Sequence, residues 1–77
     1  MIKNLPALTA RKVIKALKKA GFEKDRQKGS HLILIHPLSQ KRAVIPVHPG
    51  KTIKKPLLQS IIEDDAGFTI EEFLKLL

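Results

Sequence analysis

The longest unbroken aliphatic run in this chain is four residues, Leu32-Ile33-Leu34-Ile35, set between Gly29-Ser30-His31 and His36-Pro37. So short an apolar run, closed by turn residues on both sides, predicts a strand over His31 to His36 rather than a helix. His31, Ile33 and Ile35 then share one face, and Leu32, Leu34 and His36 the other. Both faces carry aliphatics, so alternation alone does not say which is buried. The neighbouring segments supply partners. Phe22 to about Lys28 reads as a short polar strand, and Ala43 to Val47 as a third strand after the polar connection Pro37 to Arg42. Pro46 cannot donate to a ladder, so it suits an edge or a strand end.

Helices flank this centre. From Ala10 to Ala20, Val13, Ile14, Leu17 and Ala20 follow helical spacing, while Arg11, Lys12, Lys15, Lys18 and Lys19 fill the polar face without one acid. Thr9 is the expected N-cap, with Leu8 and Val13 forming a hydrophobic staple. Gly21 and Phe22 predict a Schellman ending. A second helix is expected within Thr52 to Ala66, with Pro56 at its first position and Leu57, Leu58, Ile61 and Ile62 as its apolar stripe. Gly67 and Phe68 repeat the Gly-Phe ending. Thr69-Ile70-Glu71-Glu72 is a capping box opening a short last helix with Ile70, Phe73, Leu74 and Leu77 on its apolar side. The expected architecture is a two-layer α+β sandwich, α-β-β-β-α plus a short C-terminal helix, in one domain over residues 1–77. One sheet face stays uncovered.

Composition narrows the function classes. With 77 residues and no cysteine, disulfide scaffolds and thiolate zinc sites are excluded. No run approaches the roughly 20 residues of a spanning helix, and Met1 to Pro6 lacks a secretory h-region, so a cytoplasmic protein is expected. Residues 1–55 hold 14 Lys and Arg against 2 acids, whereas residues 56–77 hold one Lys and five acids. The first two-thirds thus carry the field that would attract a polyanion.

Among candidate residues His31 leads. It starts a strand beside the Gly29-Ser30 turn, with Arg26 and Lys28 close in sequence. A neutral imidazole can accept a proton at pH 7, and nearby cations can stabilise charge developing on phosphorus. The same position also suits a strand-end histidine bonded to backbone. Lys51, Lys54 and Lys55, before the second helix, form a candidate phosphate site or an ordinary solvated loop. His48 is a candidate second contact. His31, His36 and His48 have no helical His pair or carboxylate cluster beside them, so no metal or cofactor is expected. Phe22, Phe68 and Phe73 fall at helix ends and apolar faces, which suits core rather than base stacking.

Taken in order, these pieces resemble the HicA toxins of bacterial type II toxin–antitoxin systems. The carriers are the Leu17 to Phe22 ending, Gly29-Ser30-His31, the strand ending His36-Pro37, Val44-Ile45-Pro46-Val47-His48, the approach Lys51 to Ile61, and Ala66 to Leu74. The resemblance implies a fold like a double-stranded-RNA-binding domain and an mRNA interferase, an endoribonuclease that stops translation. It carries the active histidine onto His31 and a backbone-requiring glycine onto Gly29. Lys28, Ser30, His48, Lys51, Lys54 and Lys55 complete the expected RNA contacts. The implied partner is a HicB antitoxin covering the His31 region, through which DNA would be met only indirectly. Pro56 departs from the glycine the family often has at the start of its second helix. A non-catalytic RNA-binding module and a basic docking protein are the competing readings of the charge.

Overall fold

The computed structural model describes residues 5–77. Met1 to Asn4, part of the N-terminal stretch read for targeting, lie outside the described residues. The elements are α1 (Ala10–Lys19), β1 (Glu23–Lys28), β2 (His31–Ile35), β3 (Arg42–Pro46), α2 (Lys55–Ser60), a π-helical turn (Ile61–Asp65) and α3 (Ile70–Leu74). The three strands form one antiparallel sheet in the order β1-β2-β3. The expected α+β order is met, with small shifts. His36 lies just beyond β2, and β3 runs one residue earlier than its pattern suggested.

The ends of α1 follow from its sequence. The Thr9 hydroxyl accepts from the Lys12 amide at 3.4 Å. At the other end Gly21 takes φ +103°, the Phe22 amide bonds the Leu17 carbonyl, and the Gly21 amide bonds Lys18, each at 3.0 Å. That is the Schellman pair of bonds. The core lies between the sheet and the helices. Leu32, Leu34, Ala43 and Ile45 face Val13, Ala16 and Leu17 of α1, and Leu58, Ile61, Ile62 and Phe73 behind. Among the described residues no polar or charged side chain is buried. Each large apolar side chain withdrawn from water contributes about 1.5–3 kcal/mol. The buried face of β2 is therefore the Leu32/Leu34 face, and His31, Ile33 and Ile35 belong to the uncovered one.

The second helix departs most from expectation. It begins at Lys55, so Pro56 is its second residue, still within the first turn where a missing amide costs nothing. Leu57 is 45% exposed and does not join the stripe of Leu58, Ile61 and Ile62. After Ser60 the winding widens, with the Ala66 amide bonding the Ile61 carbonyl at 2.9 Å and the Phe68 amide bonding Ile62 at 2.9 Å. Continued α-winding would carry Asp65 onto the inner stripe. The wider turn puts Ala66 there and leaves Asp65 half-buried at the margin, beside the Val44 backbone. Burial raises the Asp65 pKa, the Val44 backbone hydrogen bond opposes this, and the neighbouring Asp64 charge adds to the rise. In α3 the Thr69/Glu72 capping box is present. Leu77 is 48% exposed, and Leu76 rather than Leu77 packs on the core.

Candidate functional site

A two-residue hairpin builds one corner of the sheet. Gly29 has φ +58° and Ser30 has no positive φ, the pattern of a Gly-X type II′ turn. A Cβ at Gly29 would meet nothing within 4 Å, so the glycine is needed for backbone conformation and not for space. The turn sets Lys28 directly opposite His31. His31 is exposed, and its ring makes no hydrogen bond with any described residue.

Strand pairing then extends the corner. The Val47 amide donates to the Ser30 carbonyl at 2.6 Å, and the His36 amide to the Lys41 carbonyl at 2.8 Å. These two bonds fix the phase of the ladder. Ala43, Ile45 and Val47 bond inward to β2, while Arg42, Val44 and Pro46 turn their backbone groups to the free edge. Pro46 thus loses no ladder bond, and its side chain lies beside His31, its cross-strand partner. Pro46 also lines a cleft of about 270 Å³ with His48, Lys51, Thr52, Ile53, Lys54 and Leu57. So the structure brings His48, Lys51 and Lys54 together one strand pair from His31. Lys55, in the first turn of α2, stands outside that lining. Because α2 is only six residues long, the lysine charges outweigh any helix dipole there.

Register places two further cations on this face, one of them, Arg42, not selected by sequence spacing. Arg26 pairs with Ile33, and Arg42 with Ile35, so both lie on the His31 face. Arg26 makes an exposed ion pair with Asp25 at 3.4 Å. Alternation within β3 points to Arg42, and alternation back from Lys28 points to Arg26, which pairs in register before the slip between Lys24 and Arg26. The face has an apolar middle of Ile33, Ile35 and Val44, the last 39% exposed.

His36 behaves differently. Its Nδ1 accepts from the amides of Leu38 and Ser39 at 3.2 and 3.3 Å, which places the proton on Nε2, facing the Ala20 carbonyl at 3.2 Å. The ring also meets Phe22 edge-on at 5.2 Å. It ties the hairpin after β2 to the end of α1 and is a structural residue. Among the described residues no group of three histidines or carboxylates converges.

Such a basic α+β domain, with helices on one sheet face and an exposed histidine among cations on the other, has the arrangement of double-stranded-RNA-binding domains. A family model described as the HicA toxin of bacterial toxin–antitoxin systems matches residues 10–68, from the first residue of α1 to Phe68. The chain belongs to that family, whose members are toxins of toxin–antitoxin pairs and generally mRNA interferases. No curated protein matches it significantly. No helix among the described residues is long and apolar enough to cross a membrane.

Proposed function

We propose that this protein is an endoribonuclease toxin that cleaves mRNA, with His31 as general acid or base. The observation that carries the proposal is the exposed His31 ring, without a hydrogen-bond partner among the described residues, opposite Lys28 on a cationic sheet face. RNA supplies its own nucleophile. The imidazole takes the proton of a 2′-hydroxyl as its oxygen attacks the adjacent phosphorus. The P–O5′ bond breaks and the leaving oxygen takes up a proton, giving a 2′,3′-cyclic phosphate and a 5′-hydroxyl. Lys28 stands where it can stabilise the charge gathering on the phosphorane, and Lys51, Lys54 and Lys55 hold neighbouring phosphates. This route uses no metal ion.

The direct test is RNA cleavage by purified protein. His31→Ala should abolish cleavage while keeping the fold; undiminished cleavage refutes the assignment. Activity lost in chelator would refute the metal-free route. Induced in cells, the wild type should arrest growth and His31→Ala should not. A protein that binds RNA without cutting it or arresting cells would be a binding module instead. The partner in this reading is a HicB-type antitoxin seated over the His31 face, where Ile33, Ile35 and Val44 offer an apolar anchor beside the cations.

A further inference from the structure

The basic face of α1 has no part in that reading, yet it borders the larger cleft of about 700 Å³. Its two walls are held in place by the chain. One wall is the start of α1, with Arg11, Lys12 and Lys15. The other is His48-Pro49-Gly50, in a turn with Pro49 second, Gly50 third at φ +77°, and the Lys51 amide bonding the His48 carbonyl at 3.1 Å. Those are the marks of a type II turn, a stiff one because proline fixes its second position. A bridge between Thr9 and Thr52, with the Ile53 amide donating to the Leu8 carbonyl at 2.8 Å, ties the two walls together. Ala10, Val47 and Pro49 give the cleft small apolar lining. Its volume falls within the roughly 300–1,000 Å³ of sites that enclose small organic ligands.

Among the described residues none of Arg11, Lys12 and Lys15 is in a salt bridge, and the first turn of α1 holds no acid. Cations at that end oppose the helix dipole, so the arrangement costs stability rather than supplying it. A protein partner would want a large apolar anchor. None of the exposed large hydrophobics, Leu38, Val44, Leu57 and Leu77, lines this cleft, although Leu77 shares an adjoining pocket with Lys12 and Lys15. A single-stranded RNA needs what the cleft has: cations for the phosphate, and a proline ring and an imidazole against which a base can lie.

We propose that this cleft is a second RNA subsite, which holds a single-stranded nucleotide flanking the scissile bond. It rests on the ribonuclease reading for the nature of the substrate. His48 lines both this cleft and the smaller one with Lys51 and Lys54. A strand passing His48 sets one phosphate against Arg11, Lys12 and Lys15 and another against Lys51 and Lys54. The site therefore favours a substrate several nucleotides long over a dinucleotide.

The experiment measures binding of a 2′-O-methyl oligoribonucleotide of about ten residues, which lacks the attacking hydroxyl. Lys12→Glu/Lys15→Glu should lose at least about tenfold in affinity and flatten the log K against log salt slope by about 1.4, two phosphate contacts. Lys18→Glu/Lys19→Glu, the same charge change in the last turn of the same helix, should stay within about threefold. Equal losses in both pairs, or none in either, overturn the subsite. Should the glutamate pair disturb folding, Lys12→Gln/Lys15→Gln removes the same two contacts and carries the same expectation. Polyglutamate competing as well as RNA would assign the cleft to an acidic protein and overturn the proposal. Failure of the wild type to cut RNA, with this binding pattern intact, would sink only the ribonuclease reading. Cleavage by the wild type with an indifferent cleft would sink only the subsite.

Discussion

His31 and His36 stand at the two ends of the same strand, and their surroundings are opposite. At the far end His36 accepts two amides, faces a carbonyl and lies edge-on to Phe22. At the near end His31 is exposed beside Lys28, with no hydrogen bond from any described residue to hold its ring. The first imidazole has used its polar atoms on the fold. The second has kept both for something that arrives. Each has a glycine nearby, and these differ in the same way. A Cβ at Gly21 would come within 2.8 Å of His36 Nε2, whereas one at Gly29 would meet open space.

The sharpest way to break this contrast is His31→Ala. RNA cleavage should fall by about 10²–10⁴-fold, the usual worth of a placed acid or base, while thermal unfolding stays where it was. A drop in melting temperature would make His31 a second structural histidine. His36→Ala should do the reverse, costing about 2–3 kcal/mol of stability through lost hydrogen bonds and ring packing. In a chain this size that lowers the melting temperature by roughly 10 °C or more, readable by circular dichroism. Gly21→Ala comes next, at about 2 kcal/mol, because positive φ and the contact with His36 add. Gly29→Asn should cost about 1 kcal/mol, from backbone strain at a positive φ alone, since a side chain there has room.

The smallest effect separates stability from reactivity altogether. Folding raises the Asp65 pKa above its ordinary 3.8, so the folded state holds that proton more tightly than the unfolded one. The cost of ionising Asp65 is absent below pH 3.8 and grows as pH rises through the folded pKa. Asp65→Asn should therefore be slightly more stable than the wild type at neutral pH, and that advantage should vanish as pH falls below 3.8. Its RNA cleavage should match the wild type, because Asp65 sits against the Val44 backbone and has no part in the proposed chemistry. Denaturant melts across pH, with cleavage rates alongside, check both parts.

Much of the fold was legible because it depends on neighbours in sequence. Thr9, Gly21, Thr69 and Glu72 act within one helical turn, and all three caps they form stand where spacing put them. The π turn was not legible. It arises because helix and sheet edge together decide whether Ala66 or Asp65 faces inward, a choice no local pattern records. Leu57 and Leu77 misled for a related reason: helical spacing assigns a stripe, but the width of the partner surface decides which stripe members are covered. Of the candidate site, the Gly29-Ser30-His31 hairpin with Lys28 was readable from the turn. Arg26 was readable as well, two residues back from Lys28 on the same face. The cleft of Arg11, Lys12 and Lys15 was hidden because its other wall lies more than thirty residues away in sequence.

By itself the sequence determined which segments are helical or extended, where all but the second helix begin and end to within a residue or so, and that the cations crowd into the first two-thirds of the chain. Those properties follow from dihedral preferences, caps and side-chain charge, all local quantities. Only the tertiary structure decided which face of β2 is buried, which of two flanking histidines is spent on the fold, and that the Thr9–Thr52 bridge brings the His48 turn against α1. Burial and hydrogen bonding are settled between segments distant in sequence, and two imidazoles with similar local context become different groups once those segments meet.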